Sequence, residues 1–205
     1  MQEVLHPRLE RWLRPDRVVL LVLVLLLLVY GPSLQNRFTE FDDTGFITDN
    51  HLVTDRWPKS LVDAFTSTSG YLYMPLTLVS WQMNYRIFGA DPFWFHLIDL
   101  CIHAFNTLLV FWILDRLLGR KFAAFLATLL FAVHPLNVEA VAWAASRKDI
   151  LSALFALLST CCYLNAVDSN DSRWRRKSLI FYVLGLFTKI SVLPLPLLFV
   201  NRPRT

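Results

Sequence analysis

From Val18 to Tyr30 the chain runs VVLLVLVLLLLVY without a polar position until its terminal tyrosine, and no charge falls between Arg17 and Arg37. That uncharged interval supplies the ~20 residues a bilayer crossing requires. Three further apolar runs follow: FWFHLIDLCIHAFNTLLVFWIL from Phe93 to the Asp115-Arg116 stop, FAAFLATLLFAVHPL after Arg120-Lys121, and ILSALFALLSTCCYLNAV from Ile150 to Val167. A fifth, SLIFYVLGLFTK, is about half of a full crossing. The prolines of the next stretch, SVLPLPLLFV, argue against one continuous helix there. The pattern predicts spans at 18–35, 93–114, 121–137 and 150–167, a short fifth at 179–189, and the start of a sixth within 190–205. Between them lie a basic segment at 1–17, long and short loops at 36–92 and 138–149, and a basic loop at 168–178.

A composition that is 55% apolar with few glycines fits this pattern, and the fold class it predicts is all-α, a polytopic membrane protein of five to six membrane helices. Four arginines precede the first run as in a signal peptide, but no small-x-small cleavage pattern follows it, so it reads as an uncleaved first helix. Orientation follows from the cations. Arg8, Arg11, Arg14 and Arg17 precede the first span, Arg116, Arg120 and Lys121 separate the second from the third, and Arg173, Arg175, Arg176 and Lys177 separate the fourth from the fifth. Alternating spans put all three groups on one side, and the positive-inside rule makes that side, with the N-terminus, cytoplasmic. The 36–92 and 138–149 loops then share the far side. Within the first, Met74 to Gly89 mixes apolar residues, Trp81 and Tyr85 with Gln82, Asn84 and Arg86, and reads as a helix lying in the membrane interface.

Several function classes lack their marks. Cys101 and the Cys161-Cys162 pair fall inside predicted spans, where thiols behave as small hydrophobes, so neither a structural disulfide nor a zinc site is expected. There is no P-loop, GxGxxG, GxSxG or HExxH, and no nucleic-acid-binding motif. Polar residues instead gather at the far side: Asp42, Asp43, Asp49, Asn50, His134, Glu139, Arg147, Lys148, Asp149 and Lys189. In the second span His96, Asp99, His103 and Asn106 recur at spacings of three and four, one helical stripe facing the bundle interior, with Asp99 and His103 expected to hydrogen-bond and lock helix packing.

This set suits transfer of a sugar from a lipid-linked phosphate. A carboxylate, Asp42 or Asp43, would serve as general base toward an acceptor hydroxyl, while Arg147, Lys148 and Lys189 would stabilise the phosphate that leaves. Asp42, Asp43 and Glu139 could also hold a divalent metal ion if the fold brought them together; no other cofactor is called for. Plainer readings exist for the same residues: a solvated turn for Asp42-Asp43, helix termination for His134-Pro135, and snorkelling helix-end anchors for Arg147 and Lys148.

FDDTGFITDNHLV, YMPLTLVSWQMNYRIFG, FHLIDLCIHAFNTLLVF, FAVHPLNVEAVAWAASRKDILSALF and LGLFTKISVLPLPLLF, in this order, resemble the amino-terminal half of the membrane region of TPR-containing glycosyltransferases of the GT-C fold, a family that includes animal mannosyltransferases acting on cadherins. The resemblance runs from about Leu21 to Val200, and HPLNVEAVAWAASRKD, His134 to Asp149, is its most specific part. It implies a GT-C-like helical bundle that transfers a hexose, mannose first among them, with inversion, from a polyprenyl-phosphate donor to a hydroxyl of a protein or glycan acceptor. It implies an essential acidic residue at Asp42 or Asp43, substrate-binding residues at Tyr73, His134, Glu139 and Asp149, and donor-phosphate binding by Arg147, Lys148 and Lys189. Lys189 is followed by Ile190 where relatives often carry Glu or Pro. Partners would be the lipid-linked donor, the acceptor and membrane lipid, in a bacterial inner membrane, or the endoplasmic reticulum of a eukaryote. Relatives continue into more spans and tetratricopeptide repeats, none of which occurs here, so the sequence reads as the truncated amino-terminal part of such an enzyme. The rival readings are a transporter subunit lined by the Asp99 stripe and a non-catalytic membrane scaffold.

Overall fold

The computed structural model describes residues 14–200 apart from 41, 56, 58 and 67–71. Most of the basic 1–17 segment, with Arg8 and Arg11, and residues 201–205 lie outside the described residues. The elements are helical throughout the described residues: α1 (Pro15–Tyr30), α2 (His51–Thr54), α3 (Lys59–Thr66), α4 (Pro75–Phe88), α5 (Pro92–Leu118), α6 (Lys121–Ala132), α7 (Pro135–Ala142), α8 (Arg147–Ser169), α9 (Ser172–Leu186) and α10 (Leu197–Val200). Short 3₁₀ turns at Gly31–Gln35, Ala144–Ser146 and Ile190–Val192 and a π turn at Thr44–Thr48 connect them.

Local chemistry sets the ends. Asp91 caps α5 by accepting from the Phe93 amide (3.0 Å), Pro92 occupies the first helical position, and Gly119 closes the helix at φ 60°, where a side chain would be strained. The expected basic loop at 168–178 is mostly helix instead. Asn170 takes the left-handed conformation and Asp171 at once caps α9 through the Arg173 amide (2.8 Å), so Arg173 to Lys177 form the first turns of α9. The 138–149 loop is likewise shorter than expected. At His134-Pro135 the chain bends by 55° and begins α7, with His134 Nδ1 accepting from the Leu136 amide, and α8 starts at Arg147. Proline ends one helix and suits the first turn of the next, which turns a terminator into a bend. Among the described residues three stretches, Pro15–Gln35, Pro92–Leu118 and Ala144–Ser169, are long and apolar enough to cross a membrane, and the bent α6–α7 pair makes four.

Long-range contacts fix how the helices run. Tyr30 at the end of α1 donates to the Ala132 carbonyl at the end of α6, and both meet His103 of α5, so α1 and α6 are antiparallel to α5. Asn106 and Arg116 of α5 reach Ile150 and Asn165 of α8, which makes those two helices parallel. The hydroxyls of Ser159 and Ser178 sit 3.1 Å apart and Phe155 faces Phe181, which sets α9 antiparallel to α8. Val18, Val22, Leu26 and Tyr30, four residues apart, give α1 one buried face, while Leu20 and Leu28 on the other sides are exposed as lipid-facing positions would be. The ends of α1, α6 and α9 and the starts of α5 and α8 therefore meet at one end of the bundle.

That end is covered by the 36–92 segment, which folds into a layer with its own core of Ile47, Leu52, Val53, Met74, Leu78 and Trp81, closed by Phe95 and Ala144. α4 occupies the stretch expected to lie in the interface, but Trp81 is wholly buried in this core. Its ring fills the gap between the loop turns and α5, and that large apolar contact replaces the headgroup contact expected of it. Gln82 holds the layer together: its amide donates to the carbonyls of Leu52 (2.6 Å) and Ser60 (2.9 Å), and its oxygen accepts from the Trp57 indole (3.0 Å). Gln82→Leu keeps the volume and strands those three groups. It is expected to destabilise this layer by about 1–3 kcal/mol, read as earlier protease cleavage within 49–66 in detergent-solubilised protein while cleavage elsewhere is unchanged.

Candidate active site

The two adjacent carboxylates are separated by their surroundings. Asp43 is completely buried, and both its oxygens are in use: Oδ2 accepts from the backbone amide (2.8 Å) and hydroxyl (3.0 Å) of Thr39, and Oδ1 accepts from the Ala145 amide (2.8 Å). A carboxylate, which only accepts, suits three converging donors. Trp143 reinforces the same junction by donating its indole N–H to the Thr39 hydroxyl (3.0 Å). Asp42, one residue earlier, is partly exposed and has no hydrogen bond or ion pair among the described residues.

Ala145 opens a five-residue stretch that organises the rest. Lys148 donates to the Ala145 carbonyl (3.0 Å) and lies over the Phe46 ring, 5.2 Å from its centroid, which brings its ammonium to the segment bearing Asp42 and Asp43. Asp149 forms an ion pair with Lys189, both about one-third exposed. Lys189 is positioned by the end of α9. The Phe187 carbonyl accepts from the Leu76 amide (3.1 Å), and the Thr188 carbonyl from the Thr77 hydroxyl (3.2 Å), so the first turn of α4 braces the lysine turn. Asp149 also lines an open cavity of about 600 Å³ between α8 and the 191–197 segment, together with the apolar Ala153, Ala156, Val192, Pro194 and Leu195.

Arg147 lies elsewhere than its expected phosphate-binding place. It points into the interior with no exposed surface, its Nε 2.5 Å from Asp99, its terminal nitrogens on Asn84 (2.9 Å) and the carbonyl of Phe95 (3.0 Å), with Ser80 adjacent. Burial of a guanidinium demands such a set of acceptors. It also takes the partner expected for His103, whose Nε2 meets the Ala132 carbonyl (3.0 Å) instead. The interior-facing stripe of His96, Asp99, His103 and Asn106 is buried throughout.

The remaining candidates are less closely joined. Tyr73 is half exposed, donates to the Phe65 carbonyl (3.1 Å) and has its ring edge-on to Phe187, two residues before Lys189. His134 is spent on capping α7, and the exposed Glu139 side chain contacts neither Asp42 nor Asp43 among the described residues. The metal-binding trio Asp42, Asp43 and Glu139 therefore does not converge, and no group of three or more His, Cys, Asp or Glu side chains is placed to hold a metal ion among the described residues. Sequence reasoning missed Phe46, Asn84, Ser80 and the Ala145 amide. A carboxylate isolated in an apolar run, Asp99, was the one available signal that a buried cation must exist.

Residues 17–193 match the family described as dolichyl-phosphate-mannose-protein mannosyltransferase. The chain is 35% identical over 154 residues to the Mus musculus protein O-mannosyl-transferase TMTC1, with 69% of this chain and 16% of that protein covered. It is 33% identical over 145 residues to mouse protein O-mannosyl-transferase TMTC2 (67% of this chain, 17% of the relative) and 31% identical over 183 residues to mouse protein O-mannosyl-transferase TMTC4 (77% and 24%). The chain thus spans between 16% and 24% of the length of these curated relatives. No solved structure matches it.

The unlike surroundings of Asp42 and Asp43 give opposite expectations for their removal. Asp43→Ala orphans the buried amide of Ala145 and frees the Thr39 amide and hydroxyl, and is expected to cost about 1–3 kcal/mol of stability. Asp42→Ala is expected to stay within about 0.5 kcal/mol of the parent, as a surface substitution does. Thermal unfolding of the two variants in detergent checks this, and equal melting temperatures would contradict the buried clasp.

Proposed function

This chain belongs to the dolichyl-phosphate-mannose-protein mannosyltransferase family, and we propose that it forms the donor end of a membrane mannosyltransferase that moves a mannosyl group from a polyprenyl phosphate to a protein hydroxyl. The observation that supports this reading is that the single stretch Ala145 to Asp149 is tied to the loop bearing Asp42 through Asp43 and through Lys148 on Phe46, and to Lys189 through Asp149. The relatives' names, protein O-mannosyl-transferase, support a protein acceptor.

In this reading Asp42 accepts the proton of the acceptor hydroxyl as its oxygen bonds to the anomeric carbon, and the bond from that carbon to the phosphate oxygen breaks. The phosphate leaves with one more negative charge, and Lys189 and Lys148 stabilise it. Asp43 does not exchange protons with substrate. Its three hydrogen bonds hold the first loop against the Ala144–Ser146 turn, which fixes where Asp42 points. The mainly apolar lining of the cavity beside Asp149 suits the first isoprene units of a lipid carrier, with the phosphate near Lys189. The cation-rich opposite end of the bundle supports, by the positive-inside rule, a site on the extracytoplasmic face with the N-terminus cytoplasmic.

Transfer from radiolabelled polyprenyl-phosphate mannose to a serine- and threonine-containing peptide, in membranes carrying the chain, tests the proposal. Asp42→Asn is expected to lower the rate by about 10²–10⁴-fold, the range for loss of a general base. Lys189→Ala is expected to raise the donor KM as well as lower kcat. Equal labelling by the parent and by Asp42→Asn would sink this reading.

A further inference from the structure

Arg147 sits at the centre of the stretch that gathers the site, yet touches none of the groups assigned to the reaction. Its neighbours serve the site: Ala145 gives its amide to Asp43, and the partly exposed Lys148 and Asp149 meet Phe46 and Lys189. Arg147 is the charged residue of the stretch that has no exposed surface. Its Nε donates to Asp99 Oδ1 (2.5 Å), and one terminal nitrogen donates to both Asn84 Oδ1 (2.9 Å) and the Phe95 carbonyl (3.0 Å). The other terminal nitrogen approaches the Ser80 hydroxyl (3.3 Å) and carbonyl (3.5 Å), and the guanidinium carbon lies 5.1 Å from the Phe95 ring centroid. One side chain thereby joins the first residue of α8 to the middle of α4 and the first turns of α5.

Resting on the site reading above, we propose that Arg147 is a positioning residue for mannosyl transfer, the peg that sets the rotation of the first turn of α8 and hence the placement of Lys148 and Asp149 against the first loop. Successive residues of a helix are about 100° apart around its axis, so anchoring one side chain against two other helices fixes where the next two point. Lysine cannot substitute. Its three donors radiate from one point, whereas the acceptors here lie on two helices and match the planar fork of a guanidinium. Asp99 supplies the countercharge that lets the peg be buried, and Asn84 and the Phe95 carbonyl supply its direction.

The test uses Arg147→Lys, which keeps the charge opposite Asp99, and Asn84→Ala, which leaves the ion pair intact and removes only a directing contact. Two readouts are taken on the folded fraction of the membrane-embedded chain. The first is the rate at which an amine-acylating reagent modifies Lys148, resolved by mass spectrometry, with Lys177 at the opposite end of the bundle as the internal reference. Both variants are expected to speed Lys148 modification severalfold and leave Lys177 unchanged, because Lys148 loses its fixed seat on the Ala145 carbonyl and the Phe46 ring. The second is transfer per folded molecule, expected to fall about tenfold or more through kcat, the cost of misplacing groups by an ångström or less.

A merely structural role would lower the amount of folded chain while leaving the Lys148 rate and kcat of the surviving molecules unchanged, and that result overturns the proposal. Asp42→Asn separates this failure from failure of the site reading. If Asp42→Asn transfers normally but Arg147→Lys frees Lys148, the assignment of the base fails and the positioning role stands. If Lys148 responds to neither variant, the peg fails whatever Asp42 does.

Discussion

A guanidinium with no exposed surface inside a bundle of apolar helices needs acceptors around its fork, and the organisation of this protein follows from how Arg147 meets that demand. Its acceptors come from the first turns of α5 and the middle of α4, so the loop layer and the membrane bundle cannot shift independently of the start of α8. Removing either charge of the pair would leave the other buried and unpaired, which is far more costly than the pair itself is stabilising. The pair therefore acts as a constraint on geometry more than as a source of stability.

Around that constraint the site is assembled from residues distant in sequence by a few directed contacts. Asp43 fastens the first loop to the Ala144–Ser146 turn, and the first turn of α4 braces the turn that carries Lys189. The two adjacent aspartates differ in their surroundings: Asp43 is held by three fixed donors, while Asp42 has no side-chain partner among the described residues. The cavity beside Asp149 sets that ion-paired carboxylate next to a mainly apolar lining.

The spans were legible because their cause is local. An uninterrupted apolar run must satisfy its own backbone hydrogen bonds in a bilayer, and only a helix does so within one segment. The break at His134-Pro135 was legible for the same reason, whereas the Asp171 cap lay in a stretch expected to be a loop. The 36–92 layer was not. Trp81 and Gln82 look alike in sequence whether α4 floats in the interface or closes a core, and the choice depends on Ile47, Leu52 and Phe95 arriving from other elements.

The sequence by itself determined a helical membrane protein, the positions of its long apolar helices, the family resemblance and the set of polar residues from which a site could be drawn. The tertiary structure alone decided which of those residues are buried and bonded and which are left accessible. Asp43 meets Ala145 across 102 positions, Arg147 meets Asp99 across 48, and Lys189 meets Asp149 across 40. Nothing in a carboxylate's own neighbourhood says which distant donor will reach it. Burial and partnership are properties of the packed helices, and they separate Asp42 from Asp43 and Arg147 from Lys148 although each pair is adjacent in the chain.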